Sequence, residues 1–214
     1  MTYIRDKGIA KDKLLNQISD SRNKSCYVEY LVKDILNNCR SWALVGGAPR
    51  TWLTDSIEKP NDLDIVVNTQ PDILNLIITS WAEKFSNKYG ITVEKTKLGG
   101  YRLVNPDLVI DIWIATKTIN IERGKINDSN IYRAVAKSAA LSLDSLVFTS
   151  KGTVYDHGFF KTLETGILSL NHCQVIKPKN IAIKAAALCK KYRLTPDLSL
   201  QALMSSYAIG DYLQ

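Results

Sequence analysis

The spacing of apolar residues switches along the chain between two patterns, one typical of strands and the other of helices. Over residues 62–67 apolar and polar residues alternate, so three apolar side chains point to one side of a predicted strand. From Pro71 to Phe85 large apolar residues recur every three or four positions, as on the buried face of a helix. The succession of both patterns predicts an α/β protein whose helices pack against a sheet.

The same patterns predict the remaining elements. Two amphipathic helices are expected within residues 10–40, and 119–130 is expected to be an exposed loop. Thr195 is predicted to cap a last helix that begins at Pro196. Further helices are predicted at 131–141, at 159–164 and from Pro178, and further strands at 42–45, 91–97, 101–104, 108–114, 145–149, 153–156 and 167–170.

Two glycines, Gly46 and Gly47, separate the predicted strand at 42–45 from the helix that follows it. Pro49 suits the first turn of that helix, because an N–H group is not needed there. Free N–H groups point at such a helix start, and no Cβ blocks close approach to the glycines. The turn therefore predicts a site for an anion.

Arg50 lies in the first turn of the same helix, where its guanidinium could reach a bound phosphate. An ion pair with Asp55 or Glu58 is the alternative interpretation. The chain as a whole has a net charge of +7 and a pI near 9.1. This charge fits a polyanionic partner such as RNA, although binding of a triphosphate would explain part of it.

Asp62 and Asp64 lie on the polar side of the alternating strand. Two like charges so close are unfavourable unless a cation lies between them, and carboxylate oxygens suit Mg²⁺. In the alternative interpretation, residues 60–61 form a turn, and Asp62 and Asp64 merely begin the strand after it without binding a metal.

Asp111, in the middle of an apolar strand, is the predicted third carboxylate of a two-metal site. The alternative is that Asp111 lies at a strand edge and faces water.

A resemblance to a known superfamily is carried by Gly46-Gly47-Ala48-Pro49-Arg50 followed by Asp62-Leu63-Asp64. These residues resemble the signature of polymerase-β nucleotidyltransferases, and within that superfamily the head domain of bacterial poly(A) polymerases and class II CCA-adding enzymes. Residues 141–146 with 152–156, and residues 183–200, are similar to a downstream hairpin segment and to the start of the helical neck of that family.

The resemblance implies a polymerase-β-like fold with a mixed central sheet flanked by helices and a short C-terminal neck. The implied division is N-terminal helices at 1–40, a head at 41–176 and a neck-like segment at 177–214. The implied reaction moves an NMP from ATP or CTP to an acceptor hydroxyl, such as the 3′ end of a tRNA, with two Mg²⁺ ions. The implied site residues are the metal-binding and catalytic Asp62, Asp64 and Asp111, with Gly46, Gly47 and Arg50 for the nucleotide.

Some positions depart from the pattern of the family. Its Arg-Arg-Asp falls on Ser138, Ala139 and Ala140, and its Asn falls on Asp144. Early neck arginines are replaced as well, at Asn180 and neighbouring positions, although Lys184 could substitute for one of them. We therefore also assign Arg133 and Lys137 to nucleotide binding, as a hypothesis in which they restore the lost positive charge.

Three functions stay open from the sequence. The first is transfer to RNA, with a partner protein supplying RNA-binding surface if the chain does not. The second is transfer to a protein or small-molecule hydroxyl, and the third is a nucleotide- or RNA-binding module without catalysis. The sequence shows neither an apolar run of membrane-spanning length nor a signal-peptide core, and its four cysteines lack paired metal spacing. A cytoplasmic protein with reduced thiols is expected.

Overall fold

The computed structural model describes residues 8–10, 12–13, 16, 38–54, 60, 62–96, 99–105, 108–171 and 177–209. The two helices predicted within 10–40 lie almost entirely outside these residues, as do Cys26 and Cys173. Ala10 is fully buried in the core, and Cys39 and Cys189 are free and buried. In the described part of the chain, every helix is too short or too polar to cross a membrane.

A sheet of seven strands forms the centre of the molecule, with the spatial order β3-β4-β5-β2-β1-β6-β7. Strands β2 and β5 pair in parallel, and the other neighbours pair antiparallel. The mixed sheet that the family resemblance implied is thus confirmed. Its strands are β1 Ser41–Val45, β2 Asp62–Asn68, β3 Thr92–Lys95, β4 Tyr101–Asn105, β5 Leu108–Ile114, β6 Leu146–Thr149 and β7 Val154–Asp156.

Helices connect and cover these strands. Two 3₁₀ turns lie at Ala115–Lys117 and Ser142–Asp144, and two short parallel strands, β8 Ile167–Leu168 and β9 Thr195–Pro196, form a separate small sheet. The described helices are α1 Gly47–Leu53, α2 Pro71–Tyr89, α3 Ile119–Glu122, α4 Ile131–Ser138, α5 Phe159–Thr165, α6 Pro178–Tyr192 and α7 Leu198–Ser205.

The two faces of the large sheet are covered differently. Leu44 and Ile65 on one face belong to the main core, which includes the apolar side of α2. On the other face Ala43 and Val66 form a smaller cluster with residues of α4. Because side chains alternate along β2, Asp62 and Asp64 lie on the face of this smaller cluster. Val66 is fully buried there and Asp62 is exposed, so the carboxylate end of the face is open.

The loop predicted at 119–130 is partly wrong. Residues Ile119–Glu122 form the short helix α3, and Asn120 is buried. The Asn120 side-chain amide donates to the backbone carbonyl of Ser138 at the end of α4. This long-range bond anchors the segment, and local sequence spacing does not reveal it.

Two predicted helix boundaries are also wrong. Helix α4 ends at Ser138, because Ala139 is extended and Leu141 forms an isolated bridge with Leu170. The last helix begins at Leu198, and its N-cap is Asp197, whose carboxylate accepts from the N–H of Leu200. Thr195 and Pro196 form β9 instead, since Thr195 N–H donates to the carbonyl of Gly166. Tertiary pairing thus overrides the local capping signal.

Candidate active site

One row of paired residues crosses the sheet on the open face. Asp64 of β2 is paired with Val45 of β1 on one side and with Asp111 of β5 on the other. Asp111 is in turn paired with Arg102 of β4, and Arg102 with Glu94 of β3. Neighbouring strands are about 4.8 Å apart, and paired residues point to the same face. The sheet therefore brings Asp64 and Asp111 side by side.

The glycine turn closes directly on Asp64. Gly46 has φ +71° and ψ −129°, and a Cβ at this position would lie 2.5 Å from Asp64 Oδ2. A side chain is excluded there by the backbone conformation and by the carboxylate alike. A Cβ added at Gly47 would lie 3.5 Å from Asp62 Oδ1 and 3.5 Å from an Arg50 Nη atom. The turn, both carboxylates of β2 and Arg50 are thus neighbours.

The carboxylates repel one another. Burial, together with the negative charges of Asp62 and Asp111, raises the pKa of Asp64 to about 7. The positive charge of Lys184 acts in the opposite direction. A bound cation would relieve the repulsion, so the donor set suits a hard divalent ion.

Arg102 holds the third carboxylate. Its Nε donates to Asp111 Oδ1 at 2.8 Å and an Nη donates to Asp111 Oδ2 at 2.6 Å. This ion pair raises the pKa of Arg102. Among the residues that the structure describes, no three His, Cys, Asp or Glu side chains are grouped so that they could hold a metal ion. In this arrangement both oxygens of Asp111 are bound to Arg102.

The sequence interpretation missed Arg102. The sequence shows that Arg102 is a polar residue between the apolar residues of β4. It does not show that β4 pairs with β5 in the register that places Arg102 beside Asp111. The signal that could have revealed the pair is the presence of two opposite charges, Arg102 and Asp111, nine residues apart on neighbouring strands of a hairpin.

Arg50 is bound by Asp144, a partner that the sequence interpretation did not consider. An Arg50 Nη donates to Asp144 Oδ1, and Lys184 Nζ lies 2.7 Å from Asp144 Oδ2. Arg50 and Asp144 are only 12% and 11% exposed, and Arg50 Nε is buried with no hydrogen-bond partner among the described residues. The alternative partners Asp55 and Glu58 lie outside the described residues. Asp144 therefore links the helix after the glycine turn to α6.

Arg133 and Lys137, the hypothetical compensating charges, both contact Asp128. Arg133 donates to both oxygens of Asp128 at 2.8–3.0 Å, and Lys137 Nζ donates to Oδ2 at 2.8 Å. These bonds lower the pKa of Asp128 well below its ordinary range. Their part in nucleotide binding stays a prediction, since the described bonds place them at the loop before α4.

A cleft of about 690 Å³ opens beside Asp64 and Asp111. Trp113 lies in its wall, and its indole N–H donates to Thr118 Oγ1 at 3.1 Å. Lysines from three separate segments also line the cleft, and they are Lys95, Lys117 and Lys177. The cleft thus combines an acidic floor with a basic rim.

Solved structures of CCA-adding enzymes are among those similar to this chain. The Thermotoga maritima CCA-adding enzyme complexed with tRNA has 17% identity and a TM-score of 0.60, over 99% of this chain and 47% of that chain. A CCA-adding enzyme with ATP has 19% identity and a TM-score of 0.57, over 100% of this chain and 48% of that one. A CCA-adding enzyme with CTP has 16% identity and a TM-score of 0.58, over 92% and 46%.

The likeness establishes the fold. The seven-stranded mixed sheet and its helices form the nucleotidyltransferase fold of CCA-adding enzymes, as the sequence resemblance implied. The chain spans about half the length of the structures that it matches. No protein-family model matches the chain, and no curated protein sequence matches it significantly.

Proposed function

We propose that this protein is a metal-dependent nucleotidyltransferase that moves an NMP from ATP or CTP to the 3′-hydroxyl of an RNA such as a tRNA. The observation that carries the proposal is the pairing of Asp64 with Asp111 across β2 and β5, beside a glycine turn that closes on Asp64. This arrangement sets an anion-accepting turn against a row of carboxylates, as transfer from a nucleoside triphosphate requires.

The residues present fit a divalent ion. Asp62, Asp64 and Asp111 would hold two Mg²⁺ ions, since their hard oxygen donors lie on one face and their mutual repulsion favours a cation. The ions would have to draw the three carboxylates together, because in the described arrangement they are not grouped as a metal site and Arg102 holds Asp111. When bound, the ions would supply neutralisation of the triphosphate and a lowered pKa for the acceptor hydroxyl.

The protein's own groups would position the phosphates. The backbone at Gly46 and Gly47 has no side chain to obstruct close approach, and the guanidinium of Arg50 lies beside Gly47. A phosphate would offer the buried Arg50 Nε a hydrogen-bond acceptor, which the described protein atoms do not supply. Holding the triphosphate in one orientation contributes to the rate by aligning the α-phosphorus with the acceptor.

The cleft and the net charge of the chain support RNA as the acceptor. At the rim, Lys117 and Lys177 would neutralise backbone phosphates of an RNA end, and Trp113 lies within the same cleft. The net charge of +7 supports a polyanionic acceptor. The similar structures were solved with tRNA, ATP and CTP, which supports the same classes of ligand for this chain.

One observation favours a second candidate, a binding module with reduced catalysis. Asp144 neutralises Arg50, so a triphosphate must compete with a carboxylate for the guanidinium. A module of this kind would bind nucleotide with little transfer.

Incubation of the protein with α-labelled ATP or CTP, Mg²⁺ and total RNA tests the proposal. Label on RNA that is lost in Asp64→Asn, and retained in Asp72→Asn on the exposed first turn of α2, supports it. Label on the protein or on a small molecule would indicate a different acceptor. Nucleotide binding without any transfer would favour the module and overturn the enzymatic proposal.

A further inference from the structure

Arg102 satisfies both oxygens of Asp111 with two donors of its guanidinium, at 2.8 and 2.6 Å. Such a bidentate pair is among the stronger arrangements of a charged hydrogen bond, and it occupies one lone pair on each oxygen and places a positive charge beside both. Any divalent ion that uses Asp111 requires at least one of these oxygens. Arg102 and the ion therefore compete for the same atoms.

We infer that Arg102 is an exchangeable counter-cation, which neutralises Asp111 in the metal-free protein and must leave Asp111 before that carboxylate can bind a divalent ion. The inference rests on the proposed function, because it presupposes that Asp111 is a metal ligand. It makes Arg102 a positioning residue that sets the affinity of the site for metal, and nothing in the proposed reaction requires it to touch the reacting atoms.

The surroundings of Arg102 allow it to move. Its side chain is 49% exposed, whereas Asp111 is 19% exposed, so the guanidinium is the partner on the solvent side of the pair. Both residues line the same open cleft. Because the guanidinium is half exposed, water can solvate it once it leaves Asp111, which limits the cost that a bound metal ion must offset.

A second carboxylate is available to a displaced Arg102. Glu94 on β3 is the cross-strand partner of Arg102 on the side away from Asp111, and it lines the same cleft. Directly paired side chains on one face are within reach of each other. The guanidinium can thus exchange one carboxylate for another without leaving the row of paired residues.

Mn²⁺ binding to the full chain without nucleotide tests the inference, with free Mn²⁺ measured by electron paramagnetic resonance. Arg102→Gln should bind Mn²⁺ about fivefold more tightly than the wild type, since the competing pair is absent. Lys95→Gln is the control, because it removes one positive charge at the position next to Glu94 on β3, and the pairing of Lys95 with Tyr101 places its side chain on the face opposite Asp111. It should change the affinity less than twofold.

A double-mutant cycle separates competition for Asp111 from a general change in charge. In an Asp111→Asn background, Arg102→Gln should no longer tighten Mn²⁺ binding, because the contested carboxylate is replaced by a neutral amide. Unfolding midpoints of all variants verify that each one is folded.

The outcomes are distinguishable. Equal effects of Arg102→Gln and Lys95→Gln, weaker binding in Arg102→Gln, or an Arg102→Gln effect that persists in the Asp111→Asn background would overturn the inference alone. A folded wild-type protein that binds no Mn²⁺, with or without a nucleotide, would overturn the proposed function and the inference together.

Discussion

Asp64 on β2 and Asp111 on β5 are direct partners in the parallel pairing at the centre of the sheet. Residues on either side of each belong to buried strands, so the backbone fixes the spacing of the two carboxylates. Their like charges are held together by the fold against electrostatic repulsion, which raises the pKa of Asp64 together with burial.

Replacing Asp111 with Asn should lower the rate of nucleotide transfer by about three orders of magnitude, because one ligand of the proposed metal site is lost. Single-turnover rates with labelled ATP or CTP measure the effect. Thermal unfolding should show that the variant is folded, and Asp72→Asn should retain the wild-type rate. Transfer within tenfold of wild type in Asp111→Asn would contradict a ligand role for Asp111.

Replacing Gly46 with Ala should destabilise the protein by about 1–3 kcal/mol from backbone strain, with a further cost from the contact with Asp64 Oδ2. Urea unfolding measures this change. Gly90→Ala is the control, because Gly90 has φ +61° and nothing within 4 Å of an added Cβ. It should cost only about 1 kcal/mol and leave nucleotide binding intact. Equal losses in the two variants would show that contact with Asp64 is unimportant.

The metal-free protein should lose stability as the pH rises from about 4 to about 7. The pKa of Asp64 is raised from 3.8 to about 7 in the folded state, so over this window the folded protein holds a proton that the unfolded chain releases. In EDTA, Asp64→Asn should therefore gain stability relative to the wild type as the pH increases, and the difference should level off above about 7.

Urea unfolding at pH 5 and pH 8 measures this pH dependence. Asp72→Asn, which changes an exposed carboxylate, should follow the wild type at both values. A constant difference between Asp64→Asn and wild type across the range would show that Asp64 has an ordinary pKa. Adding Mg²⁺ at pH 8 should stabilise the wild type and leave Asp64→Asn largely unaffected.

Replacing Asp144 with Asn should destabilise the nucleotide-free protein by roughly 2 kcal/mol, because the largely buried Arg50 loses its charged partner. ATP with Mg²⁺ should restore more stability in this variant than in the wild type, since phosphate oxygens can replace the lost carboxylate. Thermal unfolding with and without nucleotide measures both effects.

Lys184→Gln is the control for Asp144→Asn. It breaks only the more exposed pair with Asp144, where Lys184 is 48% exposed, and should cost less than about 1 kcal/mol. Equal nucleotide stabilisation of wild type and Asp144→Asn would argue that Arg50 does not contact the triphosphate.

Most helices and strands could be predicted from the sequence, because they depend on local periodicity. Apolar residues alternate in β2 and recur every three or four positions in α2, because each element has one buried face. Both elements are confirmed. The glycine turn and the carboxylates of β2 could also be predicted, because their functional residues lie close together in the sequence. Boundaries failed where distant partners decided them, as at Thr195, whose N–H is bound by Gly166.

The ion pairs of the site could not be predicted in this way. The sequence predicts a phosphate as the partner of Arg50 and offers Asp55 or Glu58 only as an alternative, whereas the folded chain pairs Arg50 with Asp144, 94 positions away along the chain. Arg133 and Lys137 share one helix face, as expected, yet the residue that they contact is Asp128 in the preceding loop. A charge has several possible partners within reach in sequence, and only the folded chain selects one.

The sequence by itself determined the α/β class, the glycine turn and the presence of Asp62, Asp64 and Asp111 on apolar strands, because periodicity and residue type are local properties. Only the tertiary structure decided that β2 and β5 are parallel neighbours in a register that pairs Asp64 with Asp111 and Asp111 with Arg102. Strand order and register depend on which apolar faces pack together across the whole sheet, and a shift of one residue would send these side chains to opposite faces.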